Sequence, residues 1–258
     1  MILRHIWLMP VLSVAFTLAG MFSGYIIGII SKHYPPLLPL ISDGGAYEPE
    51  AAVFGQLLNI ASFLYIITVY VIHLQIFEYY GHYQKFKRTK WWYGSQVLMY
   101  TGYTSAFGLM LVANFRYTEI GTVHQIGALL GFFTMVLYGW GHVIFAYTVN
   151  PRLISLLLCH FRLLIMIVTT GCLIVQNVAG YSNIFDAKGA GAFPGFNKID
   201  RSQQSPFYKR LIAATTTEWG MVLAMQLFIL TFVAELRMIH IQAPRVIIVR
   251  DRKDGEIG

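Results

Sequence analysis

Charge is scarce in this 258-residue chain: Asp, Glu, Lys and Arg make up 12% of it, about half the share usual in soluble domains. With 56% hydrophobic residues and a mean hydropathy of +0.57, that shortage excludes an ordinary soluble domain. It points to several membrane-crossing segments. Cysteine is nearly missing. Cys159 and Cys172 stand thirteen residues apart in apolar surroundings, which fits two packed thiols and neither a disulfide framework nor a zinc site. No Asn-x-Ser/Thr sequon occurs, so N-glycosylation is not expected. Walker, dinucleotide, Gly-x-Ser-x-Gly and His-Glu-x-x-His motifs are all lacking, and no cofactor or metal is expected. The spans hold few charges and the halves do not repeat, which argues against an ion-coupled transporter. The net charge of +7 fits basic loops on one side of a membrane, so no nucleic-acid partner is expected.

What is present is a set of long apolar runs. Six are long enough to cross a bilayer, approximately 7–30, 53–74, 95–113, 123–147, 163–179 and 211–234. The expected fold is therefore all-α: a polytopic bundle of six transmembrane helices in one domain, 1–234, followed by a cytoplasmic tail, 235–258. The first run is too long for a signal-peptide core and reads as a retained anchor. Six spans put both termini on one side. That side carries twelve Lys and Arg residues and the other carries seven, five of them in one long loop. The positive-inside rule then makes both termini cytoplasmic. Glycines recur every fourth residue at Gly20, Gly24 and Gly28 and again at Gly127 and Gly131. Such faces permit close helix approach, within the bundle or in helix-mediated self-association or a membrane-protein partnership. The loop 180–210 is rich in glycine. It reads either as an ordered lid plugged by Phe185, Phe193 and Phe196 or as a mobile loop.

Between the first two runs lies a polar island, PLISDGGAYEPEAAVF, with Ser42, Asp43, Glu48 and Glu50. The span order places it on the non-cytoplasmic face with Asn114, Glu119, His124 and Glu218. Ionisable groups at a membrane boundary are costly and call for a role. Three roles are open. In the first, the cluster is structural: Ser42 and Asp43 cap the turn into the second helix, Glu48 and Glu50 sit at its N-terminus, and His124 bonds a carboxylate. In the second, it binds a lipid head group or an ion. In the third, His124 with Asp43 or Glu218 is a general base in lipid ester chemistry. On the other face, Lys85, Lys87, Arg88 and Lys90 run into Trp91, Trp92 and Tyr93. This patch reads as a topology anchor or an anionic-lipid contact. Residues 83–86, YQKF, have the form of an endosomal sorting signal. His142, His160 and Arg162 are expected to snorkel or to form local hydrogen bonds.

The island, together with LMLVANF at 109–115, VHQIGALLGFF at 123–133, YTVNP at 147–151, CHFR at 159–162 and TEW at 217–219, resembles the damage-regulated autophagy modulator family. It also resembles the related small membrane proteins with a Cwh-type N-terminal domain, including the Frag-type factors of GPI-anchor maturation. The resemblance spans nearly the whole chain. It implies six spans, cytoplasmic termini, and residence in lysosomal or endosomal membranes, with plasma membrane or Golgi and ER as alternatives. The function it implies is that of a non-enzymatic regulator of autophagy and membrane traffic whose partners include membrane lipids. A lipid-remodelling enzyme or its partner is the main alternative, and a channel or channel modifier a weaker one.

Overall fold

The structure is a computed structural model, and it describes residues 2–37, 39–83, 89–196 and 198–242. Six helices dominate: α1 (Leu8–Ile30), α2 (Glu50–Tyr83), α3 (Lys90–Asn114), α4 (Gly121–Thr148), α5 (Leu156–Tyr181) and α6 (Tyr208–Leu236). A short 3-10 turn, Ile41–Gly45, lies between α1 and α2. Strand β1 (Ile2–Leu3) pairs antiparallel with β2 (Ile241–Gln242). The described ends of the chain therefore meet at one end of the bundle, which also holds the end of α2, the start of α3 and the α4–α5 connection. The opposite end, here the loop end, carries segments 31–49, 115–120 and 182–207.

Five of the six helices are long and apolar enough to cross a membrane. The sixth, α3, is 25 residues long, but its Lys90, Gln96, tyrosines, threonines and small residues dilute its apolarity. The elements depart from the expected spans most at the end of α2, Tyr83 against 74, and at the start of α5, Leu156 against 163. α2 begins at Glu50 and runs 34 residues, about 51 Å at 1.5 Å per residue, well beyond the roughly 30 Å hydrocarbon core. α5 begins at Leu156, seven residues before the expected 163, because Ser155 Oγ accepts the Leu158 N–H at 3.3 Å and caps it. Arg162 is consequently not a loop residue. It lies inside α5, 1% exposed, with its Nη2 2.6 Å from Glu235 Oε1 of α6 and its Nε donating to Thr231 Oγ1 at 2.8 Å. Its guanidinium lies over Phe228 and Phe232. It neither snorkels nor is left to solvent.

The glycine faces are used inside the bundle. A Cβ on Gly24 would meet the Gly44 backbone at 2.8 Å, and one on Gly108 would meet Gly131 N at 2.2 Å. The first contact lets the 3-10 turn lie directly on α1, and the second presses α3 against α4. The main core is apolar and aromatic, built around Tyr65, Tyr138, Phe228 and Phe232. Outward faces such as Leu157, Leu164, Ile167 and Ile174 of α5 stay exposed, as lipid-facing residues do.

Candidate functional site

Asp43 is 1% exposed, and both of its oxygens are occupied. Oδ2 accepts from Leu40 N at 2.8 Å and from Arg201 Nη1 at 2.7 Å. Oδ1 accepts from Arg201 Nη2 at 2.9 Å and from Tyr117 OH at 2.7 Å. One carboxylate thus ties together all three loop-end segments. The bidentate fork explains why an arginine serves here. Burial opposes the charge of Arg201, but the Asp43 carboxylate more than offsets it and the guanidinium pKa is raised. Burial, and then the Asp43 charge, push the Tyr117 phenol well above its ordinary range. Asp43 closes its own 3-10 turn and does not cap α2.

The other acidic residues of the island separate. Glu48 pairs with Arg116 of the second loop, which also lies 3.2 Å from Glu119. Glu50 stands in the first turn of α2 and is fully buried. Its Oε1 is 2.5 Å from His33 Nδ1, and its Oε2 has no hydrogen-bond partner. Beside it, Tyr34 OH donates to Gly24 O at 2.6 Å. Asn114 and Asn59 exchange amide hydrogen bonds at 2.8 and 3.0 Å between α3 and α2.

Glu218, Trp219 and His124 complete the loop end from below. Glu218 Oε2 accepts from Ile41 N at 3.0 Å, and Trp219 Nε1 donates to Pro39 O at 2.8 Å. Two adjacent α6 residues therefore grip the backbone of the island. His124 Nδ1 lies 2.7 Å from the Phe115 carbonyl oxygen. A carbonyl only accepts, so Nδ1 carries the proton and Nε2 is left as an acceptor. His124 therefore holds a backbone carbonyl rather than a carboxylate. Ser42, His124 and Glu218 line one internal cavity of about 100 Å³ between α1, α2, α3, α4 and α6. Asp43, Glu48, Glu50 and Asn114 do not line it. The sequence-derived cluster thus divides into a tied outer layer and an inner group at a cavity.

The described residues of the loop 182–207 form a strap over the loop end, with the phenylalanines packed inward. Phe193 packs edge-to-face with Phe196 and Phe207, ring centres 4.9 and 5.5 Å apart. The Arg210 guanidinium lies 4.1 Å from the centre of the Phe193 ring, and Arg210 Nε is 3.1 Å from Asp186 Oδ1. Phe185 and Phe196 pack against Leu40, Ala179 and Ala214. Arg201, Tyr117 and His33 are site residues that the sequence did not single out. In the sequence Arg201 is one of the five basic residues of the long loop, with no local pattern to mark it. Among the basic patch, Lys90 Nζ lies 5.1 Å from the Trp91 ring centre. Lys85, Lys87, Arg88 and the sorting-type segment's residues 84–86 fall outside the described residues. Among the described residues, no group of three or more His, Cys, Asp or Glu side chains could hold a metal.

Residues 5–239 match the Frag1/DRAM/Sfk1/Cwh43P N-terminal domain family. This chain is a member of that family. It is 27% identical over 243 residues to human DNA damage-regulated autophagy modulator protein 1, covering 93% of this chain and 94% of that protein. It is 29% identical over 237 residues to the Bos taurus DNA damage-regulated autophagy modulator protein 2, covering 91% and 85%. Mus musculus modulator of macroautophagy TMEM150B is 29% identical over 139 residues, covering 53% and 55%. No solved structure matches the chain. The family member is thus an all-helical membrane protein whose loop end is closed by three tied segments above an internal cavity.

Proposed function

We propose that this protein is a six-span regulator of autophagy and lysosomal membrane traffic that catalyses no reaction. Both termini face the cytosol, and the loop end faces the lumen of a lysosome or endosome. Several observations support this reading. The relatives are named as autophagy modulators over nearly their whole length. The described chain ends meet at one end of the bundle. α3 lies between α2 and α4 and, with 25 residues, exceeds the roughly 20 that a crossing takes, which supports a sixth crossing. The observation that supports the non-enzymatic part is Asp43, whose oxygens are all engaged by donors of the fold. A general base needs a free lone pair within reach of its proton, so Asp43 does not serve as one or as the partner of His124.

The test is rescue of a null cell. Wild-type protein is expected to restore autophagic flux, His124→Ala to restore it as well, and the lipid profile to be unchanged by deletion. A lipidome that shifts on deletion and stays shifted with the His124→Ala rescue would overturn the reading. It would favour the lipid-remodelling alternative, whose one structural support is that His124, Glu218 and Ser42 share a cavity.

A further inference from the structure

The outer surface of the bundle is not uniform. Its exposed large side chains include Leu12 and Ile26 on α1, Leu129 and Leu137 on α4, and Leu164 and Ile167 on α5. All of these suit acyl chains. The α2–α3 face differs, because Tyr70 and Tyr100 stand on it, 47% and 63% exposed. Tyr103 adjoins them. Its ring centre is 6.3 Å from that of Tyr100, and it lies within electrostatic reach of Tyr70.

These tyrosines stand at mid-depth. Tyr100 is ten residues from Lys90 and Tyr103 eleven from Asn114, roughly 15 and 16 Å at 1.5 Å per residue. The Asn59–Asn114 and His73–Ser95 hydrogen bonds fix the register of α2 on α3 and put Tyr70 at the same level. A hydrocarbon core of roughly 30 Å around α3 has the three rings near its midplane, too deep to snorkel to the head groups. The threonines beside them spend their protons on their own helix: Thr101 donates to Val97 O at 2.7 Å and Thr104 to Tyr100 O at 2.9 Å. None of the three phenol hydroxyls has a hydrogen-bond partner among the described residues. Acyl chains offer no partner, and the polar groups of phospholipids and sterols sit at the interface. A hydroxyl at this depth is matched only by another protein segment that crosses the membrane.

We propose that the α2–α3 face is the contact between two copies of this chain, with Tyr70 and Tyr100 of each copy exchanging hydrogen bonds across a twofold axis in mid-bilayer. A phenol both donates and accepts, so one such face matches itself, as a twofold contact requires. Charge does not oppose the pairing. α2 carries no Asp, Glu, Lys or Arg between Glu50 and Glu78, and α3 carries none beyond Lys90. Phe63, Val97 and Phe107, 60%, 63% and 55% exposed, flank the hydroxyls and supply apolar packing. The contact also accounts for α3, which is less apolar than the five other helices: a helix with one face on a partner meets less lipid. The glycine faces, already used inside the bundle, are not needed for it. The inference goes beyond the regulatory reading and rests only on its sixth crossing. The two fail separately, because a monomer in lipid leaves flux rescue in null cells untouched.

The experiment reconstitutes the purified full chain, with one dye on a terminal tag, into lipid vesicles over a range of protein-to-lipid ratios and counts bleaching steps per molecule. A dimer that dissociates on dilution is expected. Tyr70→Phe with Tyr100→Phe keeps both rings and removes only the hydroxyls. It is expected to weaken dimerisation at least tenfold while leaving the melting temperature unchanged. Val97→Cys is expected to form a dimer disulfide under mild oxidation, above the background set by Cys159 and Cys172 in the wild type. Ile167→Cys, exposed on α5, is expected to stay at that background. Single bleaching steps at every ratio, a double variant that dimerises as tightly as wild type, or equal disulfide yields at positions 97 and 167 would each overturn the proposal. A different membrane protein crosslinked at position 97 in place of a second copy would overturn it too.

Discussion

Asp43→Asn removes one charge from the point where three loop-end segments meet. Leu40 N and Tyr117 OH bond different carboxylate oxygens, so only one of them keeps an acceptor, while Arg201 loses its bidentate partner and faces an amide N–H₂ group. Breaking a fully buried ion pair on one side costs about 3–5 kcal/mol, because the remaining charge is stranded. The Arg201 side chain is 18% exposed while that of Asp43 is 1%, so water recovers part of that loss, and about 2–4 kcal/mol is expected. For a chain of this size each kcal/mol moves the melting temperature by about 2–4 °C, which gives a fall of roughly 5–15 °C. The molecule carries its own reporters for the assay. Cys159 is buried and Cys172 partly so, and both are free, so a thiol-reactive dye follows unfolding in detergent. Arg201→Met should cost less than Asp43→Asn, because its loss leaves a carboxylate that still accepts from Leu40 and Tyr117. The double variant should be no worse than Asp43→Asn alone, with a coupling of about 0.5–3 kcal/mol. Strictly additive losses, or an Asp43→Asn midpoint within one degree of wild type, would refute the claim that this pair holds the loop end together.

Three further outcomes are expected. Tyr117 and Tyr34 are both pushed above the ordinary tyrosine range, chiefly by burial and then by nearby carboxylates. The folded state therefore holds these protons more tightly than the unfolded chain does. Their contribution is intact below about pH 10 and is lost as pH climbs past it, so the melting temperature of Tyr117→Phe should fall less than that of wild type above pH 10. Gly24→Ala should lower stability by about 1–3 kcal/mol through overpacking against Gly44. Gly171→Ala, where an added Cβ meets nothing within 4 Å, should stabilise by up to about 1 kcal/mol through helix propensity; equal melting temperatures for the two would contradict the packing account. Arg162→Ala should cost about 3–5 kcal/mol by stranding buried Glu235, and Arg162→Met with Glu235→Leu should recover most of it. A double variant as unstable as the single would show that the arginine acts through something other than that pair.

The helices were legible because each is a long apolar run, and apolar length is the property a bilayer demands. α3 is the instructive case. Its span can be read from its length and position, yet by apolarity alone it falls below the other five. The start of α5 was misplaced because Arg162 reads as a boundary charge. Only its partner Glu235, seventy-three residues later, lets it sit inside the helix. The loop-end carboxylates were legible as a group because topology puts them on one face. Their separate fates were not, because those depend on partners distant in sequence. Arg201 lies 158 residues from Asp43, and Glu218 lies 177 from Ile41. No local pattern announces either pair. The glycines at 24 and 131 carried a local signal, and it pointed to close packing but not to which surface is approached.

The 3-10 turn Ile41–Gly45 is held from two directions. Above it, Asp43 joins the strap and the second loop through Arg201 and Tyr117. Below it, Glu218 accepts the Ile41 N–H and Trp219 holds Pro39 O. The Asp43 and Glu218 attachments lie two residues apart on one short backbone segment, and Gly24 seats that segment without side-chain slack. The polar island is therefore fixed between two layers of the loop end: Asp43 binds it to the second loop and the strap, and Glu218 and Trp219 bind it to α6, so the loss of either attachment leaves the turn held from one side only.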